Sequence, residues 1–154
     1  MMLSKRARST LLLVVALAPV FTAHIRGADT FENTVVGEQV LPGSSSFRIE
    51  GLSSGSVPGD YSLSLLTTGA NVDGGTWYLV VRREVDGEPQ QTGRLRGRIT
   101  AGSIEDVNGS PGKVVLELTV DRGTGEFAAV TSGTGVVDGT FSAGQFSGTF
   151  TLTF

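Results

Sequence analysis

Leu95, Gly97 and Ile99 share one side of an alternating run, and Arg94, Arg96 and Arg98 share the other, the pattern of a strand carrying three cations in a row. Further on, Val114, Leu116, Leu118 and Val120 alternate with Val115, Glu117, Thr119 and Asp121, which puts Glu117 and Asp121 on the polar face of the next long strand. A guanidinium clamps carboxylates and phosphates through paired N–H donors, and a carboxylate beside it can take a proton. Gathered in the mouth of a barrel, these five residues would hold an anionic ligand and offer it a base. Spread over an outer surface, they make a row of exposed cross-strand ion pairs worth about 0.2–1 kcal/mol each. Trp77 and Tyr78 begin an apolar run to Val81 and supply either a pocket wall or core packing, with core or rim packing favoured for Trp77. Arg94, Arg96, Arg98, Glu117, Asp121, Tyr78 and Trp77 are therefore the candidate ligand-binding residues, and no residue is assigned a catalytic role.

Much chemistry is excluded by what the chain lacks. It has no cysteine, so no disulfide holds it together, and its single histidine is His24. Lys5, Arg6 and Arg8 precede an apolar run from Leu11 to Phe21, the charged and hydrophobic regions of a secretory signal peptide. The reading is a signal peptide over residues 1–28 and one domain over 29–154, with a secreted or periplasmic destination. The exported domain then has neither His nor Cys, which removes Ser-His-Asp and Cys-His catalysis and zinc sites built on those ligands. From Asp29 onward there are 8 basic and 15 acidic residues, a net charge of −7, so nucleic acid and an anionic membrane are poor partners. No cofactor and no metal is expected.

Two motif-like spacings are better read as turns. Gly123-x-Gly125-x-x-Ala128 matches a loose dinucleotide fingerprint, but no helix or parallel sheet surrounds it. Asp106-x-Asn108-x-Ser110 with Glu117 follows calcium-loop spacing, yet Pro111 stands where that loop needs glycine, so an Asn-Gly turn is the reading.

The elements that must position the candidates are strands. Phe31 to Val40, Phe47 to Leu52, Tyr61 to Leu65, Trp77 to Val81, Leu95 to Ile99, Val114 to Val120, Gly135 to Phe141 and Gln145 to Phe154 alternate or run apolar, and Gly and Pro recur too often for a long helix. Turns are expected at Gly69 to Gly75, at Asp86-Gly87 and at Ser142-Ala143-Gly144, while Ala101 to Gly112 reads as a loop or short strand plus turn. Trp77 to Val81 should be covered on both faces at its start, and Phe127 to Val130 should form a single helical turn plugging one end. The fold class is all-β: a single antiparallel barrel of about eight strands, closed because closure removes sticky edges. A β-sandwich is the alternative.

Gly74-Gly75-Thr76-Trp77, Gly93-Arg94-Leu95-Arg96-Gly97-Arg98-Ile99-Thr100, Gly123-Thr124-Gly125-Glu126-Phe127, Gly133 to Phe141 and the terminal Phe-Ser-Gly-Thr-Phe strand follow one another in an order that resembles small exported bacterial proteins of the allene oxide cyclase and dirigent-like barrel group. The resemblance covers about two thirds of the exported domain. It implies an eight-stranded antiparallel barrel, in some members with an apolar cavity for a lipid-like or phenolic ligand. It carries no catalytic residue onto this chain.

The expected function is non-catalytic binding of a small, mainly apolar ligand, with a homo-oligomer possible. One alternative is a cyclase or isomerase that steers such a ligand by shape, assisted by Arg96, Glu117 or Tyr78. Another is a structural envelope or small outer-membrane barrel, in which Phe146, Phe150, Leu152 and Phe154 would face lipid and the Thr row would face the lumen.

Overall fold

The computed structural model describes residues 29–41, 46–107 and 110–154. The leader read over 1–28 and the Asn108-Gly109 turn lie outside the described residues. Eight strands follow in order: β1 (Thr30–Leu41), β2 (Ser46–Gly55), β3 (Gly59–Thr68), β4 (Asn71–Val85), β5 (Glu88–Val107), β6 (Ser110–Gly125), β7 (Gly133–Ser142) and β8 (Gln145–Thr153). Each pairs antiparallel with the next, and β8 pairs back onto β1 from Thr30 opposite Thr153 to Glu38 opposite Gln145. The sheet is thus a closed barrel, not a sandwich, and has no edge strand to protect.

Alternation decides what lies inside. Ile49, Leu63, Leu79, Leu95, Leu116, Phe150 and Leu152 are wholly buried, each facing the axis while the residues beside it face the outer side of the sheet. The largest rings lie against glycines of nearby strands. Gly37, Gly51 and Tyr61 stand opposite one another across β1, β2 and β3, and a Cβ on Gly37 would meet the Tyr61 hydroxyl. Trp77 stands opposite Gly97, and a Cβ on Gly139 would meet the Phe146 ring. A glycine on one strand makes room for the ring reaching over it, so the axis is filled by side chains.

Both ends are closed by rings. The turn at residues 126–129 brings Phe127 edge-on to Phe31 (6.5 Å) and Phe154 (5.9 Å), with Val130 buried beside it, so the expected plug is present but as a hydrogen-bonded turn and not a helical one. Phe47, Phe141 and Phe146 cluster at the other end. Buried Asn33 ties down the β2–β3 connection: its Oδ1 accepts from the Val57 amide at 2.7 Å and its Nδ2 donates to the Phe150 carbonyl at 3.2 Å.

Several expectations are corrected. Ala101 to Val107 is not a loop but the continuation of β5, paired with β6 as far as Val107 opposite Ser110. The β3–β4 turn is only Gly69-Ala70, and Asn71 to Gly75 already belong to β4. Trp77, Leu79 and Val81 face inward, but Tyr78 is exposed and Val80 half-buried, so this strand is covered on one face only. The Phe row of β8, by contrast, is core as the favoured reading expects: it faces the axis, with Phe146, Phe150 and Leu152 buried, while Ser147 and Thr149 are exposed on the outside. That is the reverse of the orientation a membrane barrel needs.

Two local features give predictions. Ala143 and Gly144 form the two-residue β7–β8 hairpin with φ of 51° and 80°, a turn that asks for left-handed residues at both positions. Ala143 bears the cost of its Cβ there, so Ala143→Asn is expected to stabilise the protein by about 0.5–1 kcal/mol in urea melts. Tyr61 is 2 % exposed and its hydroxyl has no hydrogen-bond partner among the described residues. Burial pushes its pKa well above the ordinary phenol value. With the folded value above the unfolded one, stability is fully present below about pH 10 and falls as pH rises further, because the unfolded chain ionises first. Tyr61→Phe should remove this alkaline loss and leave neutral stability unchanged or higher by about 1 kcal/mol, as paired melts near pH 7 and about pH 11 would show.

Candidate functional site

Tyr78 on β4, Arg96 on β5 and Arg122 on β6 stand directly opposite one another, forming a row across three strands on the outer face of the barrel. Below it lie Val80, Arg94 and Thr124, and above it Thr76, Arg98 and Thr119, each opposite the next. Leu95, Gly97 and Ile99 point inward from the same stretch, which turns all three arginines of β5 outward as the alternation requires.

Arg122 reaches this face through an irregularity. In β6, Val114, Leu116, Leu118 and Val120 face inward, and unbroken alternation would send residue 122 inward as well. The register instead shifts between Arg96/Gly97 of β5, opposite Arg122 and Val120, so Asp121 is an extra residue. Both Asp121 and Arg122 are consequently exposed, and Gly123 is the next to turn inward. A bulge of this kind re-aims a side chain, and here it sets one cation opposite another. Beside the bulge the Thr119 carbonyl accepts the Trp77 Nε1–H at 2.8 Å, over the space left by Gly97.

The result is a groove of about 520 Å³ lined by Thr76, Trp77, Tyr78, Arg94, Arg96, Gly97, Arg98, Asp121 and Arg122. A second hollow of about 440 Å³, lined by Gln91, Arg94, Arg96, Arg122 and Thr124, continues it. Half of the eight cations from Asp29 onward lie here. Elsewhere Arg48 is paired with Glu50, Arg82 with Asp60, Arg83 with Glu126 and Lys113 with Asp138. Within the groove Arg98 donates to Asp121 at 3.1 Å, and Thr119 Oγ1 donates to the other oxygen of that carboxylate. Among the described residues, Arg94, Arg96 and Arg122 have no carboxylate within ion-pair distance.

The structure therefore brings together Tyr78, Arg94, Arg96, Arg98 and Asp121 of the residues singled out from the sequence, but on the outer wall and not in a barrel mouth. Trp77 belongs to the core, 2 % exposed and edge-on to Phe150 at 5.2 Å, and only its indole edge reaches the groove. Glu117 is exposed higher on β6, opposite Ala101 and Val136, and does not line the groove. Arg122 is the site residue that sequence reasoning missed. Strict alternation hid it, and the one available signal was the consecutive polar pair Asp121-Arg122 before an inward glycine.

Three unpaired guanidinium groups around an exposed phenol ring can bind an anion and pack its attached ring or chain. The one carboxylate lining the groove, Asp121, is already engaged by Arg98 and Thr119. No group of three His, Cys, Asp or Glu side chains suited to a metal ion occurs among the described residues. Comparison with protein-family models, curated proteins and solved structures finds no match to the chain.

Proposed function

We propose that this is an exported, non-catalytic binding protein whose ligand carries an anionic group and an apolar or phenolic body, seated on the outer groove of β4, β5 and β6. The observation that carries the reading is the concentration of unpaired cations: Arg94, Arg96 and Arg122 stand together in a domain where the remaining cations each have a carboxylate. Arg96 directly opposite Arg122 is a like-charge pair that costs stability, and a local rule broken without a structural return marks a functional position. The resemblance to barrels that hold phenolic or lipid-like molecules supports the ligand's apolar part. The filled axis, with Trp77, Phe146 and Phe150 wholly buried, favours the outer wall over the interior.

The test is titration of Tyr and Trp fluorescence with 4-hydroxycinnamate against its methyl ester. The carboxylate form should bind in the millimolar to upper micromolar range expected of a few exposed arginine contacts, and the ester markedly more weakly. Equal binding of the two, or none of either, would overturn the reading.

A further inference from the structure

We infer that the ligand of this groove is a linear acidic polysaccharide lying lengthwise along β5, an inference that rests on the anion-binding reading of the same site. The two hollows form one trough, since both are lined by Arg94, Arg96 and Arg122, and it runs from Arg98 at one end to Gln91 at the other. Six ladder steps of β4, from Thr76 opposite Arg98 to Arg82 opposite Gln91, make it about 20 Å long, far more than a single anionic group needs. Arg94, Arg96 and Arg98 recur at every second residue, about 6.6 Å apart, the first two unpaired and Arg98 shared with Asp121, with Arg122 about 5 Å to the side of Arg96. A row of cations at regular intervals along an open trough fits a chain with repeated carboxylate or sulfate groups.

The other polyanions fit less well. Readers of single-stranded nucleic acid stack successive bases on several aromatic side chains, and Tyr78 is the one exposed ring lining this trough. An acidic peptide would gain affinity by adding a strand to a sheet edge, and the closed barrel has none. The rim instead offers Thr76, Thr124 and the Gln91 amide, donors and acceptors suited to sugar hydroxyls, while the Tyr78 ring offers a surface for the face of a sugar.

The experiment is calorimetric titration of the protein with galacturonic acid, its tetramer and its fully methyl-esterified tetramer, with a single-stranded oligonucleotide of equal charge as comparison. Affinity should rise about tenfold or more from monomer to tetramer as further arginines engage, fall steeply with salt, and vanish for the ester. R94T/R98T keeps the Arg96–Arg122 pair, so it should weaken the tetramer by a larger factor than the monomer and lose most of the tetramer's gain; an equal loss for both would overturn the polysaccharide inference. A tetramer that binds no more tightly than the monomer would overturn the polysaccharide inference and leave the anion site standing. Tighter binding of the oligonucleotide than of the tetramer would also overturn it. Binding of none of the acids would remove the inference and the anion site together.

Discussion

Replacing Trp77 by alanine is expected to cost about 3–5 kcal/mol and to bring the barrel close to unfolding. The indole is the largest of the wholly buried side chains, packs edge-on to Phe150 at 5.2 Å, and satisfies the Thr119 carbonyl at 2.8 Å. Truncation would leave a cavity between β4 and β8 and a carbonyl without its partner. Trp77→Phe should recover part of the packing but not the hydrogen bond. Gly97→Ala attacks the same point from the other side. A Cβ at residue 97 would fall on the Thr119 carbonyl oxygen and 2.7 Å from the indole nitrogen, and the carbonyl is backbone that cannot swing aside. A loss of about 3 kcal/mol is expected from this one methyl group. Urea unfolding followed by circular dichroism reads both variants. A cost below about 1 kcal/mol for either would mean that ring and glycine do not hold the wall together as described.

The double variant R96T/R122T should move stability and binding in opposite directions. Removing a directly opposed like-charge pair should stabilise the barrel by about 0.5 kcal/mol at low salt, a gain that salt screening reduces. The same change removes two of the three unpaired cations, and affinity for an anionic ligand should fall at least tenfold. An arginine pair with a purely structural role would give the opposite result, a less stable protein. Thermal melts at low and high salt, beside the titrations described above, separate the two outcomes.

The strands themselves were legible because alternation is local. Leu95, Gly97 and Ile99 against Arg94, Arg96 and Arg98 needed no knowledge of any neighbour, and the Ser142-Ala143-Gly144 hairpin and the Phe127–Val130 plug came from local turn chemistry. What was hidden depended on pairing across the sheet. Gly102 and Ser103 look like loop residues in isolation, yet β6 carries them as ladder because its own apolar face extends to Val114. The bulge at Asp121 is a property of the β5–β6 register, and without it Arg122 reads as inward. The space inside the barrel was least legible of all. Whether rings fill the axis depends on which glycine each ring faces, and Trp77 over Gly97 or Tyr61 over Gly51 and Gly37 becomes visible only when three strands are set in register.

The most direct measurement is amide chemical-shift mapping of the labelled protein titrated with 4-hydroxycinnamate and with galacturonate tetramer. Saturable shifts should cluster at Thr76 to Val80, Gln91 to Arg98 and Asp121 to Thr124, on the outer wall, and should disappear in R96T/R122T. Shifts centred instead on interior residues such as Ile49, Leu63 and Phe150, or no saturable shift with either probe, would contradict the account.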